Sequence, residues 1–437
     1  MSRGWALALP VLTVLVVGYA MLVAGVPRKL HGARIYGGPS EGVSTLSLRV
    51  ESVEREGEHE SAFWNSPLSA RVRASAGPEV ALSLEHALHG VADFEVRFLR
   101  PVHGPVELEL RDASGVSLVS GRFELDVTRW AARARRRGGW IRGRADGALQ
   151  LALAAERGAF VIGSPAPLAI RVERGGQPVV GASLSVSTQG GRLSGAEQLR
   201  SNERGRARVM FEAHELNPTL RVEARTDEGL TGAIETPVAI AAGAFQARSA
   251  KDEWRVEIAV PREEAFYSLV SQRARLAGGV LALVPDGRGG SFGTLRLSPR
   301  TEPAWLVVSS EVDQDSAAAV GWPLDSGPEP AQTFDVPDTL LLDGLPSAFV
   351  REQARRSRVR WLTAAFIGFS FLLSVALLVL RVRAADREIS RHLGQDLEQE
   401  LATRIAPRRV LPVIVAVLAI LLGFSALGLV VLARSVT

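Results

Sequence analysis

The sequence predicts a mainly β protein of tandem antiparallel sandwiches that three transmembrane α-helices hold in a membrane. Three uncharged apolar runs, at 5–26, 361–380 and 410–433, are each long enough to cross a hydrocarbon layer, which takes about 20 helical residues. Between the first two runs, apolar and polar residues alternate in short stretches that turn residues separate. This alternation is typical of half-buried strands.

These patterns predict a division of the 437 residues into eight segments. They are an N-terminal transmembrane anchor (1–27), a first β-sandwich (40–130), a second (141–242), a third (243–325), a linker with a juxtamembrane helix (326–360), a second transmembrane helix (361–381), an amphipathic connector helix (382–409) and a third transmembrane helix (410–434). The first run could also be a cleavable signal, but its length exceeds the roughly 7–15 apolar residues of a signal core and favours an anchor.

Charge and cysteine content exclude several classes of function. Nine of the 51 basic and five of the 47 acidic residues lie outside 27–360, which leaves 42 of each in that block. The neutral block does not suggest nucleic-acid binding, and we expect no nucleic-acid partner. The chain has no cysteine, so it can form neither disulfides nor thiolate metal sites.

The first sandwich contains a clear hairpin signal. Val106 to Leu110 alternates, the tetrapeptide Asp112-Ala113-Ser114-Gly115 follows, and a second apolar stretch begins at Val116. Aspartate, serine and glycine favour turns, so two antiparallel strands are predicted on either side.

An arginine-rich stretch with two tryptophans, 130–144, follows the first sandwich. One interpretation is a solvated linker between domains. The other is an anion site for lipid headgroups or acidic polysaccharide, with Trp130 and Trp140 as flat contacts and several arginines as ligands. Those candidate arginines are Arg133, Arg135, Arg136 and Arg137.

The second sandwich carries two turn motifs. Gly176-Gln177-Pro178-Val179-Val180-Gly181-Ala182 precedes one alternating stretch, and Asn202-Glu203-Arg204-Gly205-Arg206-Ala207 opens another. With these motifs, 160–241 resembles the bacterial immunoglobulin-like modules of the invasin type, and equally the macroglobulin-type sandwich. The resemblance implies a fold and says little about activity, because such modules serve as spacers, adhesive units or parts of larger assemblies.

The connector after the second span is predicted to be an amphipathic helix. Its apolar stripe either packs on its own protein or the membrane, or docks a partner. The stripe consists of Ile389, Leu393, Leu397, Leu401 and Ile405. Arginines near both ends of the second span are candidate contacts for anionic headgroups, namely Arg355, Arg356, Arg383, Arg387 and Arg391.

Other candidate sites are weaker. His86 and His89 are spaced as two metal ligands could be, but further ligands are missing. Glu311, Asp313 and Asp315 could bind calcium, although their loop lacks the pattern of an EF-hand and a hairpin tip explains it as well. We therefore expect no catalytic residue, no cofactor and no metal. Trp254, Trp305 and Trp322 are interpreted as sandwich core and, alternatively, as sugar platforms.

The function predicted from these features is that of a non-enzymatic, membrane-anchored envelope protein. Its sandwiches would act as a scaffold or protein-binding arm of a membrane complex, with the bilayer and envelope proteins as partners. Because long domains cross a membrane largely regardless of their charge, the short arginine-rich connector is placed in the cytoplasm and the large block outside the inner membrane. The alternatives are a carbohydrate-binding or adhesive module and a signalling protein that acts through the connector helix.

Overall fold

The computed structural model is mainly β, as the alternation predicted, and its sheets are largely antiparallel. It describes residues 12, 15–20, 22, 29–40, 44–63, 68–74, 78–84, 90–102, 104–124, 130, 135–143, 146–195, 199–241, 245–250, 253–297, 303–314, 319–324, 330–336, 339–392 and 423. The chain forms two units. One comprises Met1–Leu30, Arg55–Glu60 and Pro346–Thr437, and the other comprises His31–Glu54 and Ser61–Leu345.

Period-two alternation builds the first sandwich. Its strands are β1 (Leu30–Pro39), β2 (Thr45–Glu56), β3 (His59–Ala62), β4 (Leu68–Ala74), β5 (Glu79–Leu84), β6 (Val91–Arg97), β7 (Pro105–Arg111) and β8 (Ser117–Glu124). In β4, Leu68, Ala70 and Val72 are buried, whereas Arg71 and Arg73 between them are exposed. One sheet has the order β5-β4-β7-β8, and β3-β2-β1 with β6 beside β2 form the other. Apolar residues of both sheets share one core.

The predicted hairpin between β7 and β8 is confirmed. The two strands pair in antiparallel register, and the Asp112 carboxylate accepts backbone N–H bonds from Ser114 (2.9 Å) and Val116 (2.9 Å). Gly115 takes a φ of 82°, which costs glycine less than any other residue. The turn residues therefore fix the register of the pair.

The second sandwich has two sheets with one core between them. Its strands are β10 (Asp146–Gly147), β11 (Gln150–Ala155), β12 (Phe160–Val161), β13 (Ala166–Arg174), β14 (Gln177–Pro178), β15 (Ser183–Gln189), β16 (Gly191–Ser194), β17 (Leu199–Arg200), β18 (Arg206–Ala213), β19 (Thr219–Arg225), β20 (Thr231–Pro237) and β21 (Ile240–Ala241). The sheets have the orders β10-β20-β19-β15-β17 and β11-β13-β18-β16, with β14 on β13. The short strands β12 and β21 pair in parallel.

The two turn motifs of this sandwich meet each other. The Ser201 hydroxyl donates to the Val179 carbonyl (2.7 Å) and accepts the Ala182 N–H (2.9 Å), which ties the first motif to the residue before the second. Gly205 has a φ of 67°, and a Cβ there would lie 2.6 Å from the Val172 carbonyl oxygen. Only glycine fits that position, which explains its place in the motif.

The third sandwich also has two sheets around one core. Its strands are β22 (Phe245–Ala250), β23 (Glu253–Ile258), β24 (Glu264–Val270), β25 (Arg275–Ala282), β26 (Val284–Pro285), β27 (Ser291–Arg296), β28 (Trp305–Ser309) and β29 (Val320–Pro323). The sheets have the orders β22-β23-β27-β26 and β25-β24-β28-β29. Trp305 and Trp322 are buried and Trp254 is half-buried against the core, so all three are core residues and not open sugar platforms.

The linker predicted within 326–360 is corrected by the structure, because that segment adds strands to earlier parts of the chain. These are β30 (Gln332–Asp335), which pairs with β9 (Arg135–Gly138), and β31 (Leu340–Asp343), which pairs with β1. The Gly344 N–H donates to the Ala33 carbonyl at 2.8 Å. The first sandwich thus extends beyond 40–130 and is closed by strands from both ends of the β block.

One helix, α1 (Leu345–His392), begins where the last strand ends. The Asp343 carboxylate accepts the Leu345 N–H (2.9 Å), and Pro346 occupies the first turn, where a missing N–H is not needed. Among the described residues, this is the one helix long and apolar enough to cross a membrane. It contains the predicted span 361–380; the span 5–26 lies mostly, and the span 410–433 almost wholly, outside the described residues.

Candidate functional site

Among the described residues, the two most deeply buried arginines lie where the first sandwich meets the third. Arg49 on β2 and Asp93 on β6 are cross-strand partners, and their side chains are 1% and 14% exposed. The Arg49 Nε donates to both oxygens of Asp93 (3.1 and 3.0 Å). Its Nη2 donates to the backbone carbonyls of Tyr267 (2.8 Å) and Gly279 (3.0 Å), which belong to the third sandwich.

A second arginine approaches the same carboxylate from the third sandwich. Arg275 on β25, 3% exposed, donates from Nη2 to Asp93 (2.5 Å) and from Nη1 to the hydroxyl of Ser47 (2.7 Å). Its Nε donates to the Ser268 hydroxyl at 3.1 Å. We call Arg49, Asp93 and Arg275 the ionic joint, because each sandwich contributes charge to it.

The ionic joint holds two positive charges and one negative charge. Burial lowers the pKa of Arg49 to about 10, although Asp93 opposes this shift. Burial and the nearby Asp93 also raise the pKa of Tyr267. Removing charges from water is costly unless partners replace the lost hydration, and here one carboxylate serves two guanidinium groups. Integrity of the joint therefore depends on Asp93.

Two glycines on β25 make room for this arrangement. A Cβ on Gly278 would lie 2.0 Å from the Arg275 Nη2 and 2.8 Å from an Asp93 carboxylate oxygen. A Cβ on Gly279 would lie 2.8 Å from the Tyr267 ring. Glycine weakens a strand interior, so two consecutive glycines in β25 indicate that other groups pack closely against its backbone at this point. Chemically the cluster is a structural joint, because the carboxylate is already bound by both guanidinium groups.

The described part of the arginine-rich stretch, 130 and 135–143, takes part in the fold. Arg135, Arg136 and Arg137 lie in β9 and pair with β30, whereas Arg133 lies outside the described residues. Trp130 is buried, and its Nε1 donates to the Ser271 carbonyl at 3.4 Å.

The second tryptophan of that stretch is also in contact with protein. The guanidinium carbons of Arg171 and Arg206 lie 4.5 and 5.6 Å from the ring centroid of Trp140. Burial rules out Trp130 as a flat contact for an anion, whereas that role for the half-buried Trp140 stays a prediction. Hydrophobic burial of one indole and cation–π contact with the other account for both.

No metal centre occurs among the described residues, where no group of three histidine, cysteine or acidic side chains converges. His86, His89 and Asp315 lie outside those residues.

The residues from Gly38 to Gly42 match the Gly-x-Ser-x-Gly motif of a nucleophile elbow, but this motif joins two strands. Strand β1 ends at Pro39, and β2, which begins at Thr45, pairs with β1. A nucleophile elbow requires a strand–turn–helix, so we assign no catalytic role to Ser40.

Four candidate arginines of α1, Arg355, Arg356, Arg383 and Arg387, form one paired and one exposed group. Arg355 and Arg356 donate to Glu352 at 2.6 and 3.0 Å, so one carboxylate already serves both. Arg383 and Arg387 are exposed near the other end of the helix. The helix also includes Ile389 and Arg391; the rest of the predicted stripe, Leu393, Leu397, Leu401 and Ile405, lies outside the described residues.

Comparison with known proteins gives structural matches only. No family model and no curated protein matches the chain. Solved structures that match include the bacterial integrin-binding protein invasin (10% identity, 64% of this chain and 57% of that one, TM-score 0.17). A second match is the Escherichia coli adhesin FdeC, with 12% identity, 70% of this chain and 98% of that one covered and a TM-score of 0.17. A third is the trypsin-activated alpha-2-macroglobulin from Escherichia coli, with 12% identity, 68% of this chain and 23% of that one covered and a TM-score of 0.19. The chain therefore spans little more than half of the invasin chain.

The β-sandwich that the motifs of 160–241 predicted is confirmed, because this region forms two packed sheets that enclose one core.

Proposed function

We propose that the chain is a non-catalytic envelope scaffold, anchored in the inner membrane, whose β block binds other envelope proteins. The observation that carries this proposal is the exposed apolar face of α1, which continues directly from the last strand of the block. The predicted spans 5–26 and 410–433 would add two further anchors.

The exposed face of α1 needs a covering of hydrocarbon. Trp361, Leu362, Phe369, Leu372 and Leu380 are between 61% and 75% exposed. Leaving such a side chain in water instead of an apolar medium costs about 1.5–3 kcal/mol of free energy. A helix of 48 residues extends roughly 72 Å at 1.5 Å per residue, more than twice a hydrocarbon layer of about 30 Å. Lipid around the middle of α1 would cover its apolar side chains, and the parts of the helix that extend beyond the hydrocarbon layer would lie in water.

The closed β block supports the scaffold part of the proposal. Pairing of β1 with β31 brings both ends of the block together, and the ionic joint fixes the third sandwich against the first. A block held in this way presents rigid faces and sheet edges, to which a partner strand can pair. We place it outside the cytoplasm, with Arg383, Arg387 and Arg391 near the inner headgroups.

Single-cysteine labelling tests the anchoring and orientation, because the natural chain has no cysteine. Glu203→Cys lies in an exposed turn of the second sandwich, and Arg387→Cys lies near the end of α1. In intact spheroplasts, a membrane-impermeant maleimide should label position 203 at once and position 387 only after permeabilisation. The reverse pattern, or recovery of the chain in the aqueous fraction, would reject the proposal.

Native electrophoresis of detergent-solubilised membranes tests the scaffold role. The wild-type chain should migrate in an assembly larger than itself, and Asp93→Asn should weaken that assembly because the ionic joint is broken. Glu95→Gln, on the exposed face of the same strand, is the matched control and should leave the assembly unchanged. Migration of the wild-type chain alone would exclude a scaffold.

A further inference from the structure

One side of α1 is covered by other parts of the chain, whereas its opposite side is the exposed apolar face described above. Thr363, Ile367 and Ser370 are between 4% and 5% exposed, and Ser374 and Leu377 are half-buried. These five positions follow one another at alternating steps of four and three residues, which is the spacing of a stripe that packs along a second helix. We call them the covered stripe.

The side chains of the covered stripe suit close contact with another helix in hydrocarbon. The Thr363 hydroxyl donates to the Val359 carbonyl at 2.7 Å, within α1 itself. The Ser374 hydroxyl donates to the Ser370 carbonyl, also at 2.7 Å. Neither hydroxyl therefore needs an acceptor outside the helix, and small side chains of this kind let two helix backbones approach each other in a membrane.

The first apolar segment, 5–26, also has one covered side among its described residues. Ala20 is 4% exposed, and Val16 and Val17 are half-buried. Val16 and Val17 precede Ala20 by four and three positions, so the three residues share one helix face. This segment belongs to the same unit as α1 from Pro346 onward. The large side chains on its exposed side are Leu12, Leu15, Tyr19 and Leu22.

The two segments join the β block at neighbouring positions. The Gly344 N–H donates to the Ala33 carbonyl at 2.8 Å. A Cβ on Gly32 would lie 3.0 Å from the Leu345 side chain. The chain enters the block here after the first apolar segment and leaves it here at the start of α1. Two helices that extend from this point towards the membrane would therefore run antiparallel and side by side.

The covered residues of the two segments also lie at matching depths. Counted from the outer end of each apolar run, Ala20 precedes residue 26 by six positions and Ile367 follows residue 361 by six. Val17 and Ser370 are each nine positions from the same ends. At a rise of about 1.5 Å per helical residue, these depths are about 9 Å and about 14 Å. Residues at equal depth face each other in an antiparallel pair.

Arg360 adds an independent observation at the outer end of the covered stripe. It lies three residues before Thr363, and its Nε and Nη2 atoms are buried without a hydrogen-bond partner in the part of the chain that the structure describes. The last four carbonyls of a helix have no partner within that helix, and arginine side chains bind them. The end of a helix over 5–26 would offer such carbonyls to Arg360.

We propose that the covered stripe binds the first apolar segment as an antiparallel helix pair within the membrane, with Ala20 opposite Ile367 and Val17 opposite Ser370. This pairing rests on the membrane anchoring proposed above and adds which segment covers α1. Because the two helices continue into β1 and β31, the pair would anchor the β block at both of its ends.

Pairs of engineered cysteines, oxidised in isolated membranes with copper phenanthroline, test this contact. The test pairs are Ala20→Cys with Ile367→Cys and Val17→Cys with Ser370→Cys, and a maleimide-polyethylene glycol counts the thiols that remain. Ala20→Cys with Phe369→Cys is the matched control, because Phe369 is 65% exposed on the other side of α1. Since a disulfide requires a Cα separation below about 7 Å, both test pairs should oxidise roughly tenfold faster than the control.

Oxidation of the test and control pairs at equal rates would overturn the proposal. Crosslinking of Ile367→Cys with Leu427→Cys, at the same depth of the third predicted span, in place of Ala20→Cys would also overturn it and assign the covered stripe to that span. If the test pairs stay reduced while the chain remains in the membrane fraction, the helix pair is rejected and the anchoring stands. Recovery of the chain in the aqueous fraction would reject both.

Discussion

Arginines near the two neighbours of the third sandwich lie in two different settings. At the ionic joint with the first sandwich, two buried arginines share Asp93 and also donate to carbonyl and hydroxyl acceptors. Toward the second sandwich, Arg157 is only half-buried; burial, Arg248 and Arg208 lower its pKa, whereas Glu257 and Glu156 oppose this shift. Specific partners, and not the number of arginines, therefore decide how deeply an arginine can be buried.

Loss of the shared carboxylate should have the largest effect. Asp93→Asn leaves Arg49 and Arg275 buried without a counter-charge, and we expect the free energy of unfolding to fall by about 3–5 kcal/mol. Denaturant titration of the full chain in detergent measures it. Glu95→Gln, which breaks an exposed pair with Arg97, should change stability by less than about 1 kcal/mol. Equal losses in the two variants would show that the ionic joint stabilises the fold no more than an exposed ion pair does.

Crowding the joint should have an intermediate effect. Gly278→Ala places a methyl group against the Arg275 guanidinium and should lower the free energy of unfolding by about 1–3 kcal/mol. Because both changes act on one cluster, the cost of Gly278→Ala should shrink in the Asp93→Asn background. A double-mutant cycle measures this coupling, and simple additivity would mean that Gly278 does not act through the joint.

Removal of the half-buried charge of Arg157 should have the smallest effect, with the opposite sign. Arg157→Gln relieves desolvation and the repulsion from Arg248 and Arg208, so the free energy of unfolding should rise by less than about 1 kcal/mol. Arg174→Gln, at an exposed position of β13, is the control and should stay within about 0.5 kcal/mol of the wild-type chain; denaturant titration measures both. A clear loss of stability in Arg157→Gln would mean that its attraction to Glu257 and Glu156 outweighs the repulsion.

The sequence was informative wherever local patterns decide the structure. Alternation and the turn residues predicted the β7–β8 pair, because side chains on opposite faces of a strand meet core and solvent in turn. The turn motifs at Gly181 and Gly205 were equally readable, since they require particular residues at fixed spacing.

The pairing of strands that lie far apart in the sequence could not be predicted from local patterns. The short strand β31 finds its partner β1 some 300 positions earlier in the chain, and no periodicity within four residues encodes such a choice. In β2, Leu46, Leu48 and Val50 alternate with Ser47 and Arg49, a pattern that indicates which face Arg49 lies on but not that another sandwich covers that face. Arg275, which lies 226 positions after Arg49 and shares the Asp93 carboxylate with it, can be recognised only when the two sheets are seen together.

Closure of the β block by its first and last strands is the central claim, and engineered cysteines test it directly. Arg34 and Asp343 are cross-strand partners of β1 and β31 beside the hydrogen-bonded pair Ala33 and Gly344. Such a non-hydrogen-bonded pair has a Cα separation of about 4.5 Å, which a disulfide can span. Thr45 and Arg97, of β2 and β6, are matched controls, because they lie beside the hydrogen-bonded Ser44 and Phe98.

Both double-cysteine variants are oxidised in detergent, and their mobility is compared on non-reducing gels. The closed block predicts that Arg34→Cys with Asp343→Cys crosslinks as completely as the control pair Thr45→Cys with Arg97→Cys. Crosslinking of the control pair alone would contradict the pairing of β1 with β31, and with it the closed block.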